Sequence, residues 1–261
     1  MSTQQADGAP VELSVDADVA VIALNRPQRL NAVNDQLVEG LLAALSEVEA
    51  GDCGAAVLTG RGRAFCAGHD LKEPRGDAAG LPRRLEHLQD VTRRIRGLSI
   101  PVIAAVHGHA VGAGAEFALG CDLVVAADGT RFRFPEVGLG LSVTGGVTKL
   151  LPLLVGPVKA KELVLLGDPI DAHEALRLGL VNRVVPESQL MAAAMDWARR
   201  LASQPAVPTA LAKAALDSGI DAAFDASLEL EISHAVITDD VPRHHDGDEA
   251  LAASRARNRH R

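Results

Sequence analysis

The sequence predicts an α/β fold, with a strand-rich core of parallel strands and helical crossovers followed by a helical C-terminal section. Two patterns carry this. Between Val11 and Ala126, short apolar runs alternate with amphipathic stripes, as strand–helix–strand crossovers require. From Pro157 onward the chain is punctuated mostly by helix starts and stops. With 261 residues, 48% of them hydrophobic, the chain can form one large domain, or one domain with an appendage. Gln204–Pro205 is the best boundary, giving a core over 1–204 and a helical section over 205–261.

Val11–Val15 and Val19–Leu24 read as two strands around the polar turn Asp16-Ala17-Asp18. Leu37, Leu41, Leu45 and Val48 then recur at helical spacing, with Asn34 as N-cap and Gly51 as stop. Ala55–Leu58 is a short buried strand. Leu81, Leu85, Leu88, Val91, Ile95 and Leu98 form the apolar stripe of an amphipathic helix, whose other face carries Arg83, Arg84, Arg93 and Arg94. Strands follow at Pro101–Val106 and Leu123–Ala126. Pro157 suits the first position of a helix ending at Gly167, and Asp171 caps a shorter one ending at Gly179. Further helices are expected over Ser188–Ala202, Thr209–Asp217 and Ala222–Ile237, with a terminal one over Asp248–Arg255.

Composition narrows the function. A net charge of -8 gives nucleic-acid binding little electrostatic support, so an anionic ligand needs a local cationic patch. Cys53, Cys66 and Cys121 are odd in number and lack paired spacing, which points to free thiols and a reducing, cytoplasmic setting. Met1–Pro10 carries no apolar run of the signal-peptide kind, and no stretch reaches the ~18–20 apolar residues of a membrane span. The absence of tyrosine excludes mechanisms built on a catalytic Tyr.

Three segments concentrate functional residue types. Phe65-Cys66-Ala67-Gly68-His69-Asp70-Leu71-Lys72-Glu73 follows a strand and Arg61-Gly62-Arg63. Its small residues let backbone approach a ligand, and Arg63 and Lys72 can meet phosphates; on spacing alone an ordinary loop with solvated charges is the better fit. Val106–Ala118 ends a strand, passes glycines and opens a helix near Ala113. Free N–H groups and the helix dipole converge there, and Glu116 follows one turn later, either as a functional carboxylate or as a simple first-turn acid. The third segment, Phe132–Gly140 with Thr144-Gly145-Gly146, is a constrained loop carrying Glu136. None of these is a dinucleotide fingerprint, a phosphate loop or a nucleophile elbow. His107 and His109, expected on one strand face, and His244-His245-Asp246 lack complete metal-ligand spacing.

Together and in this order, the segments resemble the enoyl-CoA hydratase/isomerase (crotonase) superfamily. Leu24-Asn25-Arg26-Pro27 with Leu30-Asn31-Ala32 is similar to that family's opening signature. Phe65–Glu73, Ala104–Ala118, Gly120-Cys121-Asp122 and Ala175–Val185 extend the similarity. The resemblance implies a crotonase-like spiral of ββα turns, C-terminal helices that mediate trimerisation, often as dimers of trimers, and an acyl-CoA thioester substrate. It places the oxyanion-hole N–H donors at His69 and Ala113 and the hydratase carboxyls at Glu116 and Glu136. Arg29, Arg63, Ala67 and Lys72 are the expected CoA contacts, Ala67 through its backbone at the adenine. Coenzyme A enters as part of the substrate, and no further cofactor or metal is expected. His69 stands where a small residue is frequent, Ala113 replaces a common glycine, and the loop Leu141–Gly146 lacks the usual proline–glycine step.

The residue types suit addition of water across a 2-enoyl thioester. Negative charge moves onto the thioester oxygen, two fixed N–H groups receive it, and two carboxyls manage the protons. Three alternatives remain at this level: a double-bond isomerase, another thioester-enolate enzyme such as a hydrolase or decarboxylase, and a non-catalytic oligomeric binding protein.

Overall fold

The computed structural model describes residues 8–72, 80–221 and 224–239. Its centre is a six-stranded sheet in the order β1-β2-β3-β4-β6-β9. β1 (Val11–Asp16) and β2 (Val19–Leu24) form an antiparallel hairpin. β3 (Ala55–Gly60), β4 (Val102–Val106), β6 (Leu123–Ala127) and β9 (Arg183–Val185) continue it in parallel. A second sheet, β5-β7-β8, is built from His109–Val111, Arg131–Arg133 and Ile170–Asp171. The chain visits the large sheet, then the small one, then a helix: β4 and β5 lead to α3 (Ala113–Gly120), and β6 and β7 lead to α4 (Val147–Val155). This is the ββα spiral that the sequence implied.

The strands are apolar on both faces because both faces are covered, as in parallel sheets generally. In β4, Val102, Ala104 and Val106 face a core shared with α1 (Asp35–Ala50) and α2 (Leu81–Gly97), while Ile103 and Ala105 face α7 (Leu190–Ala202). Asn34 caps α1 by accepting from the Leu37 N–H, and α1 ends at Gly51. Pro157 opens α5 (Pro157–Leu166), which closes on left-handed Gly167. Asp171 caps α6 (Ala172–Leu178), accepting from the Glu174 N–H at 2.8 Å.

The C-terminal helices α8 (Ala206–Asp221) and α9 (Phe224–Asp239) pack back onto the core. Lys213 of α8 is buried; its Nζ donates to Asp122 Oδ2 at 2.7 Å, and the same Asp122 oxygen accepts from the Val102 N–H. The three cysteines are free thiols. No described helix is long and apolar enough to cross a membrane.

Several sequence expectations need correction. His107 and His109 do not share a strand face: β4 ends at Val106 and β5 begins at His109. His107 is buried with Nε2 at 3.0 Å from the Gly62 carbonyl, and His109 is exposed. Helix α4 was hidden by Pro152 within it, because an interior proline removes a helical N–H. The strands β5, β7, β8 and β9 are too short for a two-residue period to register. The expected terminal helix over Asp248–Arg255 and the cluster His244-His245-Asp246 lie outside the described residues, as do residues 222–223 of the helix expected at Ala222–Ile237.

Candidate active site

The site begins with the turn after β2. Asn31 takes a left-handed conformation at φ 55°, which a short polar side chain tolerates better than most. Its buried amide donates to the carbonyls of Arg61, Ala64 and Phe65, and its Oδ1 accepts from the Arg26 N–H at 2.8 Å. The Arg26 guanidinium pairs with Asp70 Oδ2 at 3.1 Å and also meets the Ala32 carbonyl. Ala67 donates its N–H to Leu30. The opening signature is thus a clamp that fixes residues 61–70 against the hairpin.

That clamp sets the direction of one backbone donor. The Val33 N–H donates to Gly68 at 2.8 Å, and the Asp70 N–H donates to Val33 at 2.9 Å. In this parallel bridge the intervening residue points its own N–H away. Accordingly, the His69 N–H has no acceptor among the described residues. Gly68 has φ 86°, and a Cβ there would lie 2.8 Å from the Val111 carbonyl oxygen. Gly114 lies so close to Cys66 that a Cβ would collide with its carbonyl. These contacts press the 66–69 segment against the start of α3, where the Ala113 N–H precedes any intrahelical acceptor.

Two carboxyls occupy the same neighbourhood. Glu116, in the first turn of α3, is buried. One oxygen accepts from the Thr144 N–H at 2.9 Å and the other from the Thr144 hydroxyl at 2.7 Å. Glu136, after β7, is also buried, and its Oε1 lies 2.7 Å from where a Cβ on Gly112 would sit. Its Oε2 is buried with no hydrogen-bond partner among the described residues. Desolvation by burial raises the pKa of both groups. The Glu136 charge pushes Glu116 up further, partly opposed by the Thr144 bonds. At Glu136 the opposing influences are its own N–H and the Arg133 guanidinium. The pair therefore holds a proton at pH values where an ordinary carboxyl has lost it.

Glu136, His69 and Ala67 line a cavity of about 120 Å³. Leu71, Val111 and Leu141 supply apolar wall, a composition usual for a small-molecule pocket. Glu116 and Ala113 are buried and are not among its lining residues. The His69 side chain is exposed, but protein around it lowers its pKa by desolvation, with Asp35 pulling the other way. Arg29, Arg63 and Lys72 are exposed on the clamp segments. Among the described residues no group of three His, Cys, Asp or Glu side chains is arranged to hold a metal ion.

The structure thus brings Glu116, Glu136, His69, Ala67 and the α3 N-terminus together and leaves Arg29, Arg63 and Lys72 exposed and outside the cavity lining. Sequence reasoning missed the parts played by Thr144, Asn31 and Arg26, although all three stand inside motifs it singled out. It gave no weight to Gln89 and Glu231, which lie outside every motif.

A family model described as enoyl-CoA hydratase/isomerase matches residues 14–251. A short-chain-enoyl-CoA hydratase of Clostridium acetobutylicum is 39% identical over 224 residues, covering 85% of this chain and 86% of that protein. A 1,2-epoxyphenylacetyl-CoA isomerase of Escherichia coli is 38% identical over 248 residues, covering 93% and 95%. The crystal structure of an enoyl-CoA hydratase from Mycobacterium avium subsp. paratuberculosis superposes with a TM-score of 0.84 at 28% identity, covering 95% of this chain and 96% of that one.

Proposed function

The chain belongs to the enoyl-CoA hydratase/isomerase family, and from that membership we propose that it adds water reversibly across a 2-enoyl-CoA thioester to give the 3-hydroxyacyl-CoA. The observation that carries this reading is the pair of buried carboxyls beside a helix N-terminus: Glu116, bonded by Thr144, and Glu136, with one oxygen unpartnered among the described residues. Hydration needs a carboxylate and a carboxylic acid at once. The carboxylate takes a proton from water as its oxygen bonds to C3. The double-bond electrons move through C2 onto the thioester oxygen, where the His69 and Ala113 N–H groups receive the charge. The acid then protonates C2, so the pair ends with the same number of protons. Each such donor is worth roughly 10²–10³ in rate.

The raised proton affinity of both carboxyls supports that division. The thioester supplies the activation, so the proposed reaction calls for no metal or redox cofactor, and coenzyme A is part of the substrate. Arg29, Arg63 and Lys72 are proposed to meet the CoA phosphates, with the Ala67 backbone against the adenine. We further propose a homotrimer or dimer of trimers, supported by Leu211 and Leu216 of α8, which are 65% and 73% exposed. A cytoplasmic location is supported by the free thiols.

A second reading, double-bond isomerisation, is favoured by one feature: Glu136 lines the cavity and Glu116 does not. One carboxyl suffices to move a proton between two carbons. A mass-spectrometric screen of acyl-CoA thioesters separates the possibilities. Hydration adds one water mass, isomerisation leaves the mass unchanged and shifts retention, and hydrolysis releases free CoA. The proposal expects the water adduct; no adduct from any 2-enoyl-CoA contradicts it.

A further inference from the structure

Glu116 is held by Thr144, and Thr144 starts a loop that is held from its far side. The Gly145 N–H donates to Gln89 Oε1 of α2 at 2.7 Å. The Gly146 N–H donates to Glu231 Oε2 at 3.0 Å. The Thr148 N–H and hydroxyl donate to Glu231 Oε1 at 2.9 and 2.6 Å. Gln89 Nε2 donates to Glu231 Oε2 at 3.2 Å. Glu231 projects from α9 and is 1% exposed. Among the described residues no cation pairs with it.

A buried carboxylate without a cation is tolerated only when its oxygens are satisfied. Here the donors are the free N–H groups at the start of α4, the place where an anion is most favoured. Gly146 at the N-cap has no side chain to do this, so a helix distant in sequence supplies the cap. The loop has no slack on its other side. Gly145 sits so close that a Cβ there would lie 2.6 Å from the Glu116 Cβ.

We propose that Glu231 is a positioning residue for Glu116: through Gln89 and the α4 N-terminus it clamps residues 144–148, so that Thr144 presents both donors to the Glu116 carboxyl. The inference rests on the reading of Glu116 as a proton-handling group. It makes α9, none of whose described residues lines the cavity, part of the geometry of the reacting centre.

The test uses charge-preserving variants of the full chain. Glu231→Asp withdraws the carboxylate by one methylene, and Thr148→Val removes one of its donors. Each is expected to lower kcat ~10-fold, since small misplacements near reacting groups have effects of that order and above. KM should stay unchanged, because the CoA contacts lie elsewhere. The alkaline limb of the rate profile should move to higher pH, because the Thr144 bonds that lower the Glu116 pKa are weakened. The ionisable groups facing Glu116 are Glu136, Glu231 and the Cys66 thiol. Neither variant removes the Glu136 carboxyl or the carboxyl at position 231, and Cys66, pushed up to about 12 by burial, stays neutral in the assay range.

A carbon-13 carboxyl titration of Glu116 reads the same shift without any turnover. It decides the clamp even for a chain that hydrates no substrate, which separates this inference from the activity on which it builds. A fall in melting temperature with kcat, rate profile and Glu116 titration unmoved would make Glu231 a helix cap only and overturn the proposal. If Glu231→Asp fails to fold, Thr148→Val is judged by the same readouts.

Discussion

Glu231 and Glu136 are both buried carboxyls, and they are treated in opposite ways. Glu231 takes four donors on two oxygens. Glu136 keeps one buried oxygen with no partner among the described residues, its Oε1 lies 2.7 Å from where a Gly112 Cβ would sit, and it faces a cavity. A satisfied buried anion fixes structure, whereas an unsatisfied one stores the capacity to bind a proton or a water. Glu116 stands between them. Thr144 satisfies part of its bonding capacity, and Glu136 beside it raises its proton affinity. The comparison separates what holds the site from what acts in it.

The largest effect that can break this contrast comes from the acting pair. Glu116→Gln and Glu136→Gln should each lose ~10²–10⁴ in kcat with little change in KM. The double variant should be far less than multiplicatively worse, because groups acting as a unit are not additive. One harmless substitution beside one lethal one would support isomerisation instead. Steady-state kinetics on the purified variants decides this.

A smaller effect should follow from Thr144→Val, which removes the hydroxyl donor and leaves the N–H. We expect kcat to fall ~10-fold and the alkaline limb to move up in pH, since a bond that favours the ionised carboxyl is lost. A shift to lower pH would show that Thr144 does not stabilise the charged form. Among the exposed cations, Arg63→Ala or Lys72→Ala should raise KM severalfold at nearly constant kcat, as loss of uniform binding does. An unchanged KM in both would remove these cations from the CoA site.

The smallest effect concerns stability. Glu116 and Glu136 have folded-state pKa values above their unfolded ones. Their contribution is therefore complete below the unfolded carboxyl pKa and is lost as pH rises through the raised values. Replacing Glu136 with Gln removes that loss. The variant should gain on the wild type across this interval, read as a melting-temperature difference that widens with pH. A difference independent of pH would mean that Glu136 ionises as easily folded as unfolded.

The sequence carried much of this architecture because the relevant signals are local. The caps at Asn34 and Asp171, the proline at the start of α5 and the double-faced apolar strands all follow from residues within a few positions of each other. The site segments were legible for the same reason: glycines, a helix start and two carboxyls stand in dense runs. What escaped notice was long-range. Glu231 is 83 residues from Thr148, and nothing in α9 marks Glu231 rather than Glu229 as the buried glutamate. Helix α4 was masked by its proline, and strands of two or three residues carry no period. Asn31 and Arg26 stood within a named motif, but their work as a clamp shows only when the carbonyls they reach are in place.

The central claim is that water adds across the thioester-conjugated double bond by way of two carboxyls that share a proton. Isotope incorporation tests it most directly: the wild-type chain is incubated with a short 2-enoyl-CoA in oxygen-labelled water containing deuterium, and the product is read by mass spectrometry. The account predicts labelled oxygen at C3 and one deuterium at C2 of a 3-hydroxyacyl-CoA. Deuterium exchange without oxygen incorporation, or free CoA in place of the hydrated thioester, would contradict it.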